Sequence, residues 1–327
     1  MQSLDNFSEL VNKYFDKTTI SGNPDELYDP INYILSLGGK RVRPLMLMMS
    51  YNLFSDDFDS ALPLAKAVEV FHNFTLIHDD IMDEAPLRRG KKTVHKKWNE
   101  NIGILSGDAM LIKAYQYFEE LPAESLKSIF PLFNKTAIEV CEGQQMDMNF
   151  ESRDDVAIDE YLEMIRLKTS VLLGAAMKIG ALGALANKED ADLLYDFGKN
   201  LGIAFQLQDD YLDLYGDPEK FGKRVGGDVV ANKKTFLTLK AFLKANEEQK
   251  SKLDKLFSST DLSFEEEENK INEVRDTFTS LDVVSDMKEE IEKYYRIAIS
   301  SLNSVNVESE KKEELLKFAE NLIKRDV

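Results

Sequence analysis

Apolar residues recur at the helical spacing along nearly the whole of this 327-residue chain. Ile31, Ile34 and Leu35 show the pattern before a break at Gly38-Gly39, and similar stretches follow between further short breaks. No segment has the sustained alternation of a strand, and there are only 16 glycines and 8 prolines. The sequence therefore predicts about ten or more helices in an all-α fold. Because the connections are mostly short, we expect one compact bundle and a single domain over residues 1–327.

The charge balance limits the partners that the chain can have. Asp and Glu number 59 against 41 Lys and Arg, which gives a formal net charge of -18. Such a charge repels nucleic acid and anionic membrane surfaces, so an anionic ligand must meet a local basic pocket. Cys141 is the only cysteine, which excludes an intrachain disulfide and a four-thiolate zinc site.

The start of the chain and its most apolar stretch bear on cellular location. The segment MQSLDNFSEL lacks the basic start and the apolar run of a signal peptide. The stretch from Val171 to Ala186 is too short to span a bilayer and carries Lys178. We therefore expect neither export nor a membrane span, and a cytoplasmic location fits these features.

Two segments of the chain match the pattern Asp-Asp-x-x-Asp. Their members are Asp79, Asp80 and Asp83 in LIHDDIMDE, and Asp209, Asp210 and Asp213 in FQLQDDYLDLYG. Helix positions i, i+1 and i+4 project into one small region, where three carboxylates repel one another unless a cation neutralises them. Both segments are otherwise apolar, which disfavours the alternative of solvated helix faces. Oxygen ligands indicate magnesium or calcium, and magnesium is the ion that shares substrate phosphates.

Positive charge lies beside both acidic clusters. Arg88-Arg89 follows the first cluster, and Lys223 and Lys233 follow the second. The segment GGKRVRP at 38–44 adds three cations at a helix break, which outlines an anion site. Metal-bound carboxylates next to Arg and Lys are typical of a diphosphate site. A further set of lysines is more typical of a surface loop, namely Lys91, Lys92, Lys96 and Lys97.

Six motifs occur along the chain in one order: GGKRVRP at 38–44, HDDIMD at 78–83 with LRRG at 87–90, GQ at 143–144, LKT at 167–169, FQLQDD at 205–210 and KKT at 233–235. This order resembles the trans-prenyl diphosphate synthase family, which includes farnesyl and geranylgeranyl diphosphate synthases. The resemblance covers nearly the whole chain. It implies an all-α bundle of the prenyl synthase type around a deep central cavity, with the two aspartate clusters facing each other across its mouth. It also implies a homodimer.

The resemblance implies roles for individual residues. The cofactor would be Mg²⁺, about three ions once diphosphate is bound, held by Asp79, Asp80, Asp83, Asp209, Asp210 and Asp213. The allylic diphosphate would be gripped by Arg88, Lys168, Lys223 and Lys233. Isopentenyl diphosphate would be bound by Lys40, Arg43, His72 and Arg89. The oxygens that face the allylic cation would belong to Lys168, Thr169 and Gln206. For Arg41, the resemblance gives a less definite role in binding isopentenyl diphosphate.

The implied reaction is a head-to-tail condensation. Dimethylallyl, geranyl or farnesyl diphosphate would lose its diphosphate once magnesium and cations neutralise that group. The alkene of isopentenyl diphosphate would then attack the allylic cation, and the released diphosphate would accept the proton.

His72 is ambiguous by itself, because a histidine on an apolar helix is more often a core residue than a ligand. Its spacing of seven residues before Asp79 matches the family and favours substrate binding. Glu69 and His72 also fit the Glu-x-x-His pattern of a di-iron bundle, but neither His78 nor His95 completes the second pair that such a site needs. Two intact aspartate clusters argue against a terpene cyclase and against a non-catalytic subunit.

The residues before the first aspartate cluster bear on product length. Thr75 and Phe74 precede Asp79 by about 6 and 7.5 Å along a helix axis, and Phe71 by about 12 Å. Within the family, geranylgeranyl synthases resemble this sequence in having a single aromatic residue five positions before the first aspartate cluster and no residues inserted in that cluster. We therefore expect geranylgeranyl diphosphate as the product. Farnesyl diphosphate stays the alternative, because Phe71 or residues of other helices could close the pocket earlier.

Overall fold

The computed structural model describes residues 3–119, 121–217 and 225–324. Helices make up almost all of its regular structure, which confirms the predicted all-α class. The first ten are α1 Leu4–Lys17, α2 Asp25–Ser36, α3 Val42–Asn52, α4 Phe58–Met82, α5 Val94–Lys97, α6 Glu100–Gln116, α7 Ala123–Glu151, α8 Ile158–Ile165, α9 Val171–Gly183 and α10 Lys188–Tyr215. The others are α11 Gly227–Val230, α12 Phe236–Lys244, α13 Glu247–Phe257, α14 Phe264–Ser280, α15 Val283–Ser304 and α16 Ser309–Ile323.

Two short elements interrupt the helices. A π-helical turn, Arg166–Ser170, joins α8 to α9. An antiparallel hairpin pairs β1, Leu87–Arg88, with β2, Lys91–Lys92.

The chain divides into two compact units that alternate along the sequence. The first contains the described residues of Met1–Asn134, Ala175–Tyr195 and Asn303–Leu315. The second contains those of Lys135–Gly174, Asp196–Leu302 and Leu316–Val327. A single domain over residues 1–327 stays a prediction.

Helix α4 is the central element of the first unit. It is 25 residues long and packs against α3 and α6. Most of its side chains are buried, because apolar residues cover nearly its whole circumference instead of one stripe. The helix ends where the amide of Asp83 donates to the carbonyl of Asp79, at 2.9 Å. The first aspartate cluster therefore lies at the carboxyl-terminal end of a buried helix.

The second unit has its own core around the end of α10. Leu207 and Leu212 of α10 pack in one apolar cluster with Leu253, Phe278 and Met287. These three come from α13, α14 and α15, which enclose the segment that carries the second aspartate cluster.

Small residues let helices of each unit approach closely. Gly143 of α7 lies so near the backbone of Lys168 that a Cβ there would overlap it. A Cβ at Gly180 of α9 would likewise overlap the carbonyl oxygen of Leu47 in α3. Next to this contact, the hydroxyl of Ser50 in α3 donates to the carbonyl of Met177 in α9 at 2.6 Å. Most side chains of α9 are buried.

None of the described helices is both long and apolar enough to cross a bilayer.

We predict that Gly180→Ala lowers the free energy of unfolding by about 1–3 kcal/mol, because the added methyl overpacks against backbone that cannot move away. The matched control is Gly103→Ala, whose Cβ would meet the flexible end of Ile81 at 2.9 Å. That control should stay within about 1 kcal/mol of the wild type, because alanine favours helices over glycine. Urea titrations of both variants test this, and equal stability of the two would contradict it.

Candidate active site

The first aspartate cluster is paired with an arginine. Asp80 is 1% exposed, and the Nε of Arg88 donates to both of its carboxylate oxygens at 2.9 Å. A terminal nitrogen of Arg88 lies 2.7 Å from Asp80 and 3.7 Å from Asp79. Burial raises the pKa of Asp80, and the hydrogen bonds from Arg88 oppose that rise. Asp83 is exposed, just past the helix end.

The hairpin after α4 explains the position of Arg88. Arg89 and Gly90 form its two-residue turn with φ of 53° and 72°. Positive φ at both central residues is the geometry that matches the twist of paired strands. The hydroxyl of Thr93 donates to the carbonyl of Ala85 at 2.7 Å and closes the base of the hairpin.

The hairpin turn meets the GGKRVRP segment. Arg89 donates to the carbonyl oxygen of Gly38. Gly39 has φ of 130°, a conformation that residues with a Cβ rarely adopt, and a Cβ there would also lie 2.8 Å from the guanidinium carbon of Arg89. The contact brings Arg89 next to the loop that carries Lys40, as the predicted isopentenyl diphosphate site requires.

Arg43 and His72 are hydrogen-bonded to each other. A terminal nitrogen of Arg43 lies 3.1 Å from Nε2 of His72, and because a guanidinium only donates, Nε2 is the acceptor. Burial, followed by the charges of Arg43, Arg89 and Arg88, holds the pKa of His72 well below its usual value. The imidazole is therefore neutral at physiological pH. Burial also lowers the pKa of Arg43 to about 10.

Glu69 supplies negative charge among these arginines. It is 5% exposed and accepts a hydrogen bond from the amide of Asn73 at 3.2 Å. Burial raises its pKa, and the charge of Arg43 is the largest opposing influence. The sequence singled out Glu69 only for a di-iron pattern. Among the described parts of the chain, the two aspartate clusters included, no group of three or more His, Cys, Asp or Glu side chains converges on one point.

The second aspartate cluster lies in the last turns of α10. Asp210 is 7% exposed and accepts hydrogen bonds from the hydroxyl of Tyr161 and from the amide of Gln206, the latter at 3.0 Å. Burial, and then the charges of Asp228 and Asp209, raise the pKa of Asp210 well above its usual value. Neither Tyr161 nor Asp228 was identified from the sequence.

Asp228 joins the second cluster to a lysine. Its amide donates to the carboxylate of Asp213 at 3.0 Å. Its own carboxylate lies 3.6 Å from Nζ of Lys233, whose amide donates to the carbonyl of Asp228 at 2.9 Å. The predicted residue Lys223 lies outside the described residues. The sequence did contain a sign of Asp228. It follows two glycines, in GGD at 226–228, and is the third acidic residue after the second Asp-Asp-x-x-Asp motif.

The predicted catalytic residues lie together in the second unit. Lys168 and Thr169 occupy the π-helical turn. Thr169 donates to the side-chain oxygen of Gln206 at 3.3 Å, and Nζ of Lys168 lies 2.6 Å from a carboxylate oxygen of Asp147. Asp147 was not identified, although it lies one helical turn after the GQ motif. π-helical turns are frequent at functional sites.

Two of the residues predicted to set product length, Phe71 and Phe74, form a tilted aromatic pair. Phe74 and Phe71 are 8% and 1% exposed, with ring centroids 5.6 Å apart. Phe71 packs against Phe133 of α7 at 5.1 Å. Thr75 donates to the carbonyl of His72 at 2.7 Å, so its hydroxyl is held against the helix.

The other two histidines are packed against neighbouring elements. His78 lies 3.2 Å from the carbonyl oxygen of Ile104 and 3.9 Å from Asp108. His95 is buried. Lys91 and Lys92 are exposed, but they form the short strand β2 and not a loop.

The acidic residues fit a hard divalent cation. Both clusters lie at the carboxyl-terminal ends of long helices, where the helix dipole disfavours negative charge. Asp80 and Asp210 are almost fully enclosed there. Asp80 has Arg88 as a positive partner. Asp210 instead accepts hydrogen bonds from the neutral groups of Tyr161 and Gln206, which makes an ionised carboxylate costly there. All the donors are carboxylate oxygens, the ligands that Mg²⁺ prefers, and Mg²⁺ takes its other ligands from water and substrate phosphates.

Known proteins match this sequence and fold over their full lengths. The geranylgeranyl diphosphate synthase of Sulfolobus acidocaldarius is 41% identical, with 99% of each chain covered. A crystal structure of a geranylgeranyl pyrophosphate synthase superposes with a TM-score of 0.96, at 45% identity and with both chains fully covered (100%). The synthetase of Pyrococcus horikoshii gives a TM-score of 0.91 at 33% identity, covering 99% of this chain and 97% of its own. The model of the polyprenyl synthetase family matches residues 24–276, and the chain belongs to that family.

Proposed function

We propose that this protein is a magnesium-dependent prenyltransferase that joins isopentenyl diphosphate to an allylic diphosphate head to tail, with geranylgeranyl diphosphate as its product. The observation that carries the proposal is that cations lie beside the acidic residues at the ends of α4 and α10. Arg88 pairs with Asp80, and Lys233 pairs with Asp228, whose amide donates to the carboxylate of Asp213. Carboxylates and cations together suit a ligand that brings both a metal and phosphate oxygens. The printed names of the relatives support the same reaction and product.

The aspartates of both clusters would hold Mg²⁺, about three ions with diphosphate bound. They are Asp79, Asp80, Asp83, Asp209, Asp210 and Asp213. A magnesium-bound diphosphate is a better leaving group, because its negative charge is neutralised. Asp228 adds negative charge beside the second cluster and is expected to strengthen cation binding there.

The cations of the chain bind the two substrates. The allylic diphosphate is held by Arg88, Lys168, Lys223 and Lys233. The diphosphate of isopentenyl diphosphate is held by Lys40, Arg43 and Arg89, with His72 beside them. The Nε–H of Arg43 is buried and has no hydrogen-bond acceptor among the residues described, which supports a role for this guanidinium in binding an anion. His72, which is neutral, accepts from Arg43 and keeps it in place.

The condensation balances without a catalytic side-chain base. The allylic carbon–oxygen bond breaks, and its electron pair leaves with the diphosphate. A carbon–carbon bond then forms to the alkene of isopentenyl diphosphate, and the proton passes to the released diphosphate. Oxygens at Lys168, Thr169 and Gln206 stabilise the allylic cation, and Thr169 already donates to Gln206.

A homodimer and a cytoplasmic location complete the proposal. Exposed apolar side chains follow one another on α6: Ile104 is 44% exposed, and Leu105 and Ile112 are each 59% exposed. Apolar residues exposed together are typical of a protein–protein interface. Cys141 is the only cysteine, which fits a reducing compartment.

We predict that Asp79→Asn and Asp209→Asn each lower turnover by at least about 100-fold, because each removes a metal-binding charge without changing size. Incorporation of labelled isopentenyl diphosphate at increasing magnesium concentrations measures this. Asp59→Asn, an exposed change in the first turn of the same α4, is the control and should leave turnover unchanged. Near-native turnover of either cluster variant, with normal helical circular dichroism, would refute the metal assignment.

A second prediction separates the two substrates. Arg89→Ala should raise the KM for isopentenyl diphosphate about tenfold. Lys233→Ala should raise the KM for the allylic diphosphate by a similar factor. Both effects are those expected for loss of one charged hydrogen bond. Lys91→Ala, an exposed change in the same hairpin, is the control. Equal effects of one variant on both KM values are incompatible with this division.

A third prediction concerns product length. Phe74→Ala removes a buried ring next to Phe71 and should shift the products to longer chains, because space opens where the growing chain ends. Chromatography of the products after dephosphorylation measures the distribution. Phe264→Ala is the control, since Phe264 is 69% exposed. Unchanged products from an active Phe74→Ala enzyme mean that other residues limit the chain.

A further inference from the structure

The GGKRVRP loop has an unusual backbone. Gly38 and Gly39 have φ of 74° and 130°, which glycine adopts readily. Arg41 has φ 44° and ψ 42°, the left-handed region that a residue with a Cβ avoids. Such a conformation persists only where the surroundings hold it. The environment of Arg41 therefore decides the shape of this loop.

Helix α1 holds the side chain of Arg41. Its guanidinium donates to the side-chain oxygen of Asn12 at 2.6 Å, and its guanidinium carbon lies 4.7 Å from the ring centroid of Phe15. Asn12 and Phe15 are three residues apart, so they lie on one face of α1. A hydrogen bond and a cation–π contact thus fix Arg41 from the same side.

The backbone of Arg41 in turn sets the direction of the residues around it. Its carbonyl accepts from the amide of Leu45 at 3.1 Å, which closes the first turn of α3. Arg43 lies in that turn and donates to His72. Lys40 directly precedes Arg41. Any rotation of the Arg41 backbone would therefore move both proposed ligands of isopentenyl diphosphate.

We propose that α1 positions Lys40 and Arg43 for isopentenyl diphosphate by holding Arg41, which acts as a positioning residue and not as a diphosphate ligand. The inference rests on the proposed function. Helix α1 ends at Lys17, before the segment that matches the polyprenyl synthetase family. An element outside the matched segment thus contributes to substrate affinity.

Variants of α1 test the proposal, because α1 supplies no proposed ligand. Asn12→Ala and Phe15→Leu should each raise the KM for isopentenyl diphosphate about three- to tenfold, as expected for loss of a contact to a charged group. The KM for the allylic substrate and kcat at saturating substrates should stay at wild-type values. Asn12→Asp keeps an acceptor oxygen and should keep the wild-type KM. Lys13→Ala, an exposed neighbour on α1, is the control.

A double variant distinguishes positioning from direct binding. Arg41→Ala should raise the same KM, and Asn12→Ala combined with Arg41→Ala should be no worse than Arg41→Ala alone. If Arg41→Ala raises this KM while Asn12→Ala and Phe15→Leu do not, Arg41 binds the diphosphate itself and the proposal is overturned. Equal rises in both KM values, or none, overturn it as well. Lys40→Ala tests separately whether Lys40 binds isopentenyl diphosphate. If the KM for isopentenyl diphosphate is unchanged in that variant, Lys40 is not a ligand. The α1 variants still decide whether α1 contributes to binding.

Discussion

Burial of carboxylates at the ends of apolar helices is the constraint on which the site depends. Asp80 lies in the last turn of α4 and Asp210 near the end of α10, each nearly inaccessible and each where the helix dipole is negative. Neither position is favourable for an anion in isolation. The surrounding structure offsets this with Arg88 at the first site, and with donors from Tyr161 and Gln206 at the second. The architecture thus keeps negative charge where only a cation can fully balance it.

The positive groups depend on backbone geometry more than on charge alone. Arg89 and Arg41 both have positive φ. Gly90 directly follows Arg89, and Gly39 precedes Arg41 by two residues; both glycines also have positive φ. Arg89 reaches the carbonyl of Gly38, so the two basic segments are joined through main chain. Arg43 is fixed by a histidine that its neighbours keep neutral. In a chain of net charge -18, this small group of cations is held together by turns and hydrogen bonds.

Sequence reasoning was successful where chemistry is local. The helical class and the breaks between helices follow from spacing and composition, and the structure confirms them. Contacts between distant segments were not accessible. Asp147 meets Lys168 across 21 residues and Tyr161 meets Asp210 across 49, and no periodicity encodes such pairs. The direction of Arg41 was equally hidden, because it depends on one left-handed residue that sequence alone does not reveal. Charge and motif can select the residues of a site, but only packing decides which of them touch.

The π-helical turn at Arg166–Ser170 has a consequence for insertions and deletions in this part of the chain. A π turn holds one residue more than the α-helical turn that it replaces, so it shifts the register between α8 and the residues that follow. Deletion of a single residue there would restore a continuous α-helix. The residues just after the turn would then rotate by about 100° about the axis. Gly143 packs against the backbone of Lys168, so a length change would also break that close contact. The packing of this turn is therefore more sensitive to a change in its length than to the substitution of one side chain.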